Sequence, residues 1–299
     1  MPQENGVTLD HETLTGRLIT HEDIKRPVEQ DPLDRVDIES VAAVAAGPEA
    51  RPAQEQNIRL LSDLVTGAVG VDRMDYLLRD AYFTGVAYGK FDIERLIASL
   101  EIVDSDEVGG PVWAVPYGAM YDAEQMLLAR WFMHLQVYFH KTRRILDIHL
   151  RRYLQATLPG GRFPSSLEEH LSLTDYSILD QALRSDHPEA RALLRRNHLR
   201  MVREFSASDF ESIEAFSRFA ASLKDAMPDI VHDHFNVTLT KPGDGELWVK
   251  TASGPRPLSE VSRVLETLKP RWIGRIYAPA DRRRSVAAAI DDLVQESKQ

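Results

Sequence analysis

The longest regular pattern in the sequence lies at residues 123–156, where apolar side chains recur at helical spacing. It is followed by Pro159, Gly160 and Gly161, which are residues that stop helices. The pattern therefore predicts one long amphipathic helix. A second strong helix is predicted at residues 72–83. Weaker helical patterns occupy residues 11–24, 57–68 and 91–102, with short helix and loop at 31–56. A mainly α fold is therefore expected.

The later part of the chain mixes helical and strand patterns. Residues 165–226 are predicted to be helical, with loops near Pro188 and Ser206. Alternating residues at 235–240 and 246–251 predict two strands joined by a turn at 242–245. The remaining predictions are a strand at 112–116, a helix at 259–268, a strand at 272–278 and a helix at 283–297. We therefore expect a helical region at 1–156, and a C-terminal region at 157–299 that contains a small mixed α/β subdomain.

The composition excludes several functional classes. The chain has 299 residues, a net charge of −10 and no cysteine. Non-specific nucleic-acid binding needs clustered lysine and arginine, so it is not expected of this acidic chain. Disulfides and thiolate metal sites are excluded. No apolar run reaches the roughly 20 residues that span a bilayer, and the polar start lacks a signal-peptide core. A soluble, cytoplasmic protein without membrane contact is expected.

The helix predicted at 72–83 has a polar face that could serve a phosphate and a sugar. At about 100° per residue, this face collects Asp72, Arg73, Tyr76, Arg79 and Asp80. The opposite face collects Met74, Leu77, Leu78 and Ala81. A carboxylate binds a divalent metal, a guanidinium neutralises phosphate, and a phenol with a second carboxylate can hydrogen-bond a sugar hydroxyl. By spacing alone, a solvated helix face with Arg–Asp pairs is the commoner explanation.

The order of residues in this helix carries a family resemblance. Residues 72–80 read Asp-Arg-Met-Asp-Tyr-Leu-Leu-Arg-Asp, and Tyr82-Phe83-Thr84-Gly85 and Gly89-Lys90-Phe91-Asp92 follow. This text resembles the signature segment of the HD-domain deoxynucleoside triphosphate (dNTP) triphosphohydrolases. The resemblance implies an HD-type helical phosphohydrolase domain. It maps Asp72 onto the last ligand of a metal site made of His, His-Asp and Asp. It also maps Arg73 onto a triphosphate contact, and Tyr76 and Asp80 onto deoxyribose contacts.

A second polar set lies in the long predicted helix. Arg130, His134, Tyr138 and Lys141 are spaced by four, four and three residues, which places them within about 80° on one continuous helix. A partly exposed amphipathic helix is the simpler explanation. The segment is similar to the family helix that closes over the nucleotide. That similarity implies that Arg130 binds phosphate and that Tyr138 packs against the 2′ carbon, which disfavours ribonucleotides. His134 and Lys141 would belong to the same substrate-binding set.

Most of the family's metal ligands are not found in this sequence. Its His-Arg and His-Asp motifs stand upstream of the signature segment, and nothing before His11 contains either. The text around His11 resembles the family's His-Glu element, whose His assists catalysis, although by spacing alone an ordinary residue in the first turn of a helix is the commoner explanation. Only Asp72 remains of four ligands, and one carboxylate does not hold a catalytic transition metal. The chain alone is therefore expected to be inactive.

Three explanations stay open for the absent motifs. The gene model starts too late or the chain is a fragment, the protein is a degenerate paralogue, or it borrows ligands from a partner. We favour the first, because the substrate-side residues are intact. Two other His-Asp texts are interpreted as structural. They are 232–234, which precedes a predicted strand, and 186–188, which signals a turn or helix start.

The expected chemistry follows from the resemblance. A divalent metal (Mg, Mn, Fe, Co or Ni) would assist the attack of water on the α-phosphorus of a dNTP, dGTP being one candidate, and release deoxynucleoside and triphosphate. Arg73, Arg130 and Lys141 would hold the polyphosphate, and His11 would be the acid–base group. Relatives commonly form dimers or tetramers, so a homo-oligomer is expected. The alternative is a non-catalytic nucleotide-binding or assembly module derived from that family.

Overall fold

The computed structural model describes residues 3–4, 7–8, 11–30, 36–45, 56–239 and 245–296. The chain divides into two compact units that alternate along the sequence. Unit 1 comprises Met1–Met133, Phe163–His170 and Leu239–Lys269, and unit 2 comprises His134–Arg162, Leu171–Thr238 and Pro270–Gln299. The division at residue 157 stays a prediction. The architecture is mostly helical with small sheets, which confirms the predicted mainly α class.

The helices and strands have the following bounds. The first helices are α1 His11–Ile19, α2 Glu22–Glu29, α3 Ile38–Ala45, α4 Gln56–Thr66, α5 Val71–Thr84, α6 Ile93–Ser99, α7 Met120–Met133 and α8 Lys141–Thr157. The later ones are α9 Leu167–Ser172, α10 Asp175–Leu183, α11 Pro188–Leu194, α12 Ile213–Ala226, α13 Leu258–Val261, α14 Arg263–Thr267 and α15 Arg283–Glu296. The strands are β1 Gln3–Glu4, β2 Val7–Thr8, β3 Glu101–Ser105, β4 Gly110–Pro116, β5 Arg200–Phe205, β6 Val231–Val237, β7 Trp248–Thr251, β8 Gly254–Pro257 and β9 Arg271–Ala278.

Helix α5 in unit 1 matches the strong helix that the sequence predicts. It begins after Gly70 and ends at Gly85, whose φ of 72° is left-handed and suits glycine. Met74, Leu77 and Ala81 on its apolar face are buried. Burial of this face leaves the polar residues of α5 on the side away from the core.

The sheet of unit 1 has the strand order β3-β4-β7-β8. Strands β3 and β4 are antiparallel, and β4 and β7 are parallel with Ala114 opposite Trp248. Val112, Ala114 and Trp248 form a small buried cluster on this sheet. The sheet therefore joins residues near 110 to residues near 250 within one unit.

The sheet of unit 2 has the order β5-β9-β6, with both pairs antiparallel. Its central strand β9 contributes the fully buried Ile276, which packs in one core with Phe216 of α12 and Val286 and Ile290 of α15. The predicted strand at 272–278 and closing helix at 283–297 are confirmed as β9 and α15. This is the small mixed subdomain expected near the C-terminus.

The single helix predicted at 123–156 is wrong. The chain forms α7, then a π-helix at His134–Tyr138, and then α8 after a break. The backbone N–H of Phe139 donates to the carbonyl of His134 at 2.7 Å, which closes the wider turn. His140 then caps α8 by accepting from the N–H of Thr142 at 3.3 Å. Apolar spacing did not reveal this break, because the buried residues continue on both sides of it.

Three other predictions of secondary structure are corrected by the observed strand pairing. The helix at 91–102 ends at Ser99, and the next residues form β3 against β4. The helical stretch at 165–226 contains the strand β5. The predicted hairpin is wrong, because β6 pairs with β9 whereas β7 pairs with β4 and β8. Most of its predicted turn lies outside the described residues.

Two predicted helices are each divided by a capping residue. The stretch at 11–24 forms α1 and α2, and the His21 side chain accepts from the N–H of Asp23 at 3.4 Å. The stretch at 259–268 forms α13 and α14, and the Ser262 side chain accepts from the N–H of Leu265 at 3.1 Å. No helix in the described ranges is long and apolar enough to cross a membrane.

Candidate functional site

The polar face of α5 forms the first part of the candidate site. Asp72 in its first turn is exposed, whereas Arg73, Tyr76 and Asp80 are half-buried. Nη1 of Arg73 donates to the carbonyl of Gly67 at 2.6 Å. A Cβ at Gly67 would lie 2.1 Å from the Asp63 carbonyl oxygen, so glycine is needed where the chain turns between α4 and α5. The turn therefore holds the Arg73 guanidinium close to the start of α5.

Electrostatic contacts group Tyr76 with three charged residues of unit 1. Burial raises the pKa of the Tyr76 phenol, and the positive charges of Arg130 and Arg73 work against that rise. The carboxylate of Asp72 adds to it, and a hydrogen bond with Arg130 opposes it. Two guanidinium groups and one carboxylate therefore act on the phenol of Tyr76 electrostatically, and the net effect is a raised pKa. Of the predicted site residues, the structure brings together Asp72, Arg73, Tyr76 and Arg130.

Arg130 is a buried cation on α7. Only 4% of the residue is exposed, and its Nη1 donates to the carbonyl of Leu239 at 3.0 Å. A charged group removed from water is costly unless hydrogen bonds or opposite charges compensate it. An oxyanion at this place would gain a donor that the protein already holds in position.

Unit 2 carries His134 and Tyr138 on the π-helix. The ring of His134 packs edge-on against Tyr138 at a centroid distance of 5.1 Å and against Phe139 at 5.4 Å. The expectation that Arg130, His134, Tyr138 and Lys141 share one face of a continuous α-helix is wrong. The reason is that the π-helix and the break at His140 separate Arg130 from Lys141.

Lys141, the first residue of α8, lies beside a basic cavity within unit 2. The cavity has a volume of about 120 Å³. It is also lined by Arg200 and Arg283, with His198 and the buried Tyr277 in the same wall. Three cations around one small space favour an anionic occupant. The sequence resemblance placed Lys141 among the polyphosphate contacts, and it did not point to Arg200 or Arg283.

His11 begins α1 and is exposed in the structure. Its carbonyl accepts a hydrogen bond from the Thr15 hydroxyl at 2.8 Å. This hydrogen bond involves the backbone carbonyl of His11 and not its imidazole. The catalytic role of the His11 side chain therefore stays a prediction.

The metal-binding donors of the described residues are scattered. Within the described ranges, no group of three or more His, Asp or Glu side chains is placed to hold a metal ion. Asp72 is exposed, and a single carboxylate does not make a transition-metal site. The donors of the described residues therefore do not by themselves fit a catalytic metal.

The two other His-Asp texts have structural roles. Asp233 on β6 accepts from Nε and Nη2 of Arg144 at 2.8 and 2.6 Å, so its carboxylate is engaged in a bidentate ion pair. His187 caps α11 by accepting from the N–H of Glu189 at 3.3 Å. The second finding confirms the predicted helix start at 186–188, whereas residues 232–234 lie within β6 and do not precede the strand.

One cluster within unit 2 carried no local sequence signal. Arg144 and Arg275 both stack on the ring of Phe235, with guanidinium-to-centroid distances of 4.9 and 5.0 Å. Phe139 packs on the same ring at 4.6 Å. These residues come from α8, β9, β6 and the break after the π-helix, so only the fold brings them together.

Comparison with known proteins places these features in a family context. Residues 91–220 match the family model of the HD-associated region. The chain is 26% identical over 253 residues to an uncharacterized protein of Methanocaldococcus jannaschii, covering 78% of this chain and 55% of that protein. It is 27% identical over 261 residues to the uncharacterized protein YwfO of Bacillus subtilis, covering 73% of this chain and 57% of that protein. The chain thus spans just over half the length of these curated relatives.

One shorter sequence match and two solved structures give further similarities. A mimivirus protein whose name assigns it an HD domain is 27% identical over 125 residues, covering 41% of this chain and 26% of its own. A hypothetical protein from Aquifex aeolicus superposes with a TM-score of 0.71 at 26% identity, covering 90% of this chain and 71% of its own. A phosphohydrolase from Bacteroides thetaiotaomicron superposes at 0.54 and 18% identity, covering 91% and 81%, and shows likeness of fold alone. Together these matches show that the chain is similar to proteins with an HD-associated region or an HD domain, and that its fold is like that of a phosphohydrolase.

Proposed function

We propose that the chain provides the nucleotide-binding part of an HD-type phosphohydrolase that converts a dNTP into deoxynucleoside and triphosphate. The observation that carries this proposal is the grouping of Asp72, Arg73, Tyr76 and Arg130 in unit 1. Two guanidinium groups beside a half-buried phenol suit a polyphosphate joined to a sugar. The chain as a whole is acidic, with a net charge of −10. An anion would therefore be attracted by this local pair of guanidinium groups and not by the net charge of the chain.

Each residue of the set has a proposed task. Arg73 and Arg130, both in unit 1, bind the triphosphate, and the family resemblance gives Lys141 of unit 2 a polyphosphate role. Tyr76 and Asp80, one helical turn apart on α5, contact the hydroxyl of the deoxyribose. Tyr138 packs against the 2′ carbon and excludes a 2′-hydroxyl by its bulk. His134, whose ring contacts Tyr138, supports that packing.

In the proposed reaction, the oxygen of water forms a bond to the α-phosphorus while the bond from that phosphorus to the 5′ oxygen breaks. The 5′ oxygen takes up a proton and leaves as the nucleoside hydroxyl, and the triphosphate departs intact. The guanidinium groups stabilise the charge on the phosphate oxygens. His11 is the proposed acid–base group. A divalent metal, with Asp72 as one ligand, would supply the polarisation of phosphate and water in this chemistry.

The test follows triphosphate release from each of the four dNTPs in the presence of Mg, Mn, Fe, Co or Ni. It compares two samples, which are the native-length protein as expressed in its own cells and this 299-residue chain alone. The native-length protein should release triphosphate, and Asp72→Ala should lower the rate by at least about a hundredfold through loss of a metal ligand. Asp106→Ala, which changes an exposed carboxylate in the turn between β3 and β4, is the matched control and should keep the rate. This chain alone should bind dNTP without hydrolysing it.

The second candidate function is a nucleotide-binding or assembly module without catalysis. The observation in its favour is that Asp72 is exposed and the described residues assemble no metal site. The same experiment separates the two functions. Binding of dNTP with no triphosphate from the native-length protein, under any of the metals, would replace the enzyme by the module.

A further inference from the structure

The π-helix at His134–Tyr138 ends at a residue that is held from several sides. The N–H of Phe139 donates to the carbonyl of His134 at 2.7 Å, and its own carbonyl accepts from Nη1 of Arg275. Nη1 of Arg143 donates to the carbonyl of Tyr138 at 3.1 Å. Two successive carbonyl groups at the end of the π-helix are therefore satisfied by arginine side chains and not by a following helical turn.

Arg275 is a fixed support for this contact. It lies on the central strand β9, and only 5% of the residue is exposed. Its Nε donates to Oε2 of Glu204 on β5 at 2.7 Å, and its guanidinium stacks on the ring of Phe235 on β6 at 5.0 Å. Neighbouring strands on both sides thus fix the direction in which the guanidinium reaches the Phe139 carbonyl.

The ring of Phe139 is held as firmly as its carbonyl. It packs on Phe235 at 4.6 Å, and the guanidinium of Arg144 lies 5.7 Å from its centroid. Arg144 is held in turn by the bidentate pair with Asp233. The Phe139 ring also contacts the His134 imidazole, with a centroid distance of 5.4 Å.

We propose that Arg275 is a positioning residue that fixes His134 and Tyr138 through Phe139. This inference rests on the proposed function, since it assigns the reason for the arrangement to nucleotide selection. A π-helix is rare and is commonly associated with functional sites, because its wider turn costs stability. Here the three-stranded sheet of unit 2 supplies the compensating contacts. The sheet therefore fixes the orientation of the His134 and Tyr138 rings through Phe139.

The experiment compares Arg275→Ala, Arg275→Lys and the control Arg203→Ala. Arg203 on β5 lies in the same sheet, and its side chain forms an ion pair with Asp291 of α15. The first readout is hydrogen exchange of the peptide covering residues 134–140. The second is the ratio of the dGTP affinity to the GTP affinity. A general loss of stability lowers both affinities and leaves their ratio unchanged.

Arg275→Ala should raise exchange at 134–140 by roughly tenfold and lower the dGTP:GTP affinity ratio several-fold. Arg275→Lys should recover part of both effects, because an ammonium can still donate to the Phe139 carbonyl. Arg203→Ala should change neither. Unchanged exchange and an unchanged ratio in a folded Arg275→Ala variant would overturn the proposal.

Two further outcomes are separable. If Arg275→Ala does not fold, Phe235→Leu keeps the apolar bulk but removes the aromatic platform, and it should give the same two changes. Unaltered exchange and an unaltered ratio in Phe235→Leu would then overturn the proposal. If the wild type binds neither nucleotide, the proposed function fails. A selective rise in exchange at 134–140 would then still support the structural part of the inference, and its absence would contradict it.

Discussion

The guanidinium of Arg130 on α7 hydrogen-bonds the phenol of Tyr76 on α5, and so joins two helices of unit 1 at the candidate site. Arg130 also donates to the carbonyl of Leu239, so its position is set by the protein before any ligand arrives. A donor held in place in this way loses little side-chain freedom when it binds phosphate. The polar face of α5 thus includes the phenol of Tyr76 as a hydrogen-bonding partner of Arg130.

Tyr76→Phe tests whether the phenol contacts the ligand. The substitution removes a hydroxyl that is half-buried and bonded to Arg130, so the affinity for dNTP should fall by roughly five- to tenfold. Isothermal titration with dGTP measures it. The control is Tyr82→Phe on the same helix, where the side chain is 80% exposed and the affinity should be unchanged. Equal affinities in wild type and Tyr76→Phe would remove the phenol from the site.

Arg130→Ala should cost stability as well as binding. The change leaves the carbonyl of Leu239 without its 3.0 Å donor and opens a space in a buried region, so the free energy of unfolding should fall by about 1–3 kcal/mol. Urea unfolding monitored by circular dichroism gives this value. Arg95→Ala is the comparison. Its ion pair with Asp122 has an arginine side chain that is 63% exposed, and its loss should cost less than about 1 kcal/mol. A similar small loss for both variants would contradict the structural role of Arg130.

The sequence predicts the parts of this protein that local patterns determine. The polar and apolar faces of α5 follow from 3.6-residue periodicity, and the structure buries Met74 and Leu77 as that periodicity requires. The strand β9 and helix α15 are likewise predicted within a residue or two. The break after the π-helix is not predicted. The Phe139 carbonyl at this break accepts a hydrogen bond from Arg275, which is far along the chain.

Strand pairing limits the prediction in the same way. Alternation marks residues near 235 and near 248 as strands, but it does not specify their partners. The structure places β6 against β9 and β7 against β4, where Trp248 meets Ala114. The candidate site has the same character, because the residues of α5 are predicted from one segment, whereas Arg200 and Arg283 beside Lys141 come from distant elements.

Arg144 and Asp233 should be strongly coupled in unit 2. Their side chains are 19% and 10% exposed and are joined by two short hydrogen bonds, so removing one partner leaves a poorly solvated charge. Either single change, Arg144→Met or Asp233→Asn, should lower the free energy of unfolding by about 3 kcal/mol. The double variant should lose clearly less than the sum of the two. Additive losses in this double-mutant cycle would show that the pair does not act as a unit.

Tyr277 should make stability fall at alkaline pH. Burial raises the pKa of its phenol to about 12, from an ordinary value near 10. The unfolded chain then loses this proton before the folded protein does, so the contribution is complete below pH 10 and is lost as pH rises toward 12. Between pH 8 and pH 11, wild type should lose on the order of 1 kcal/mol more than Tyr277→Phe. Parallel curves for the two proteins in urea unfolding would be inconsistent with a buried neutral phenol.

The most direct test of the account is the affinity of this chain for dGTP, inorganic triphosphate and deoxyguanosine, measured by isothermal titration in wild type and Arg73→Ala. If α5 forms a triphosphate site, dGTP should bind, and Arg73→Ala should weaken both dGTP and triphosphate by roughly ten- to a hundredfold, since each charge-assisted contact is worth about 1.5–3 kcal/mol. Deoxyguanosine should be affected little, and Arg95→Ala should change none of the three. No detectable dGTP binding at millimolar concentration, or equal dGTP affinity in wild type and Arg73→Ala, would contradict the account.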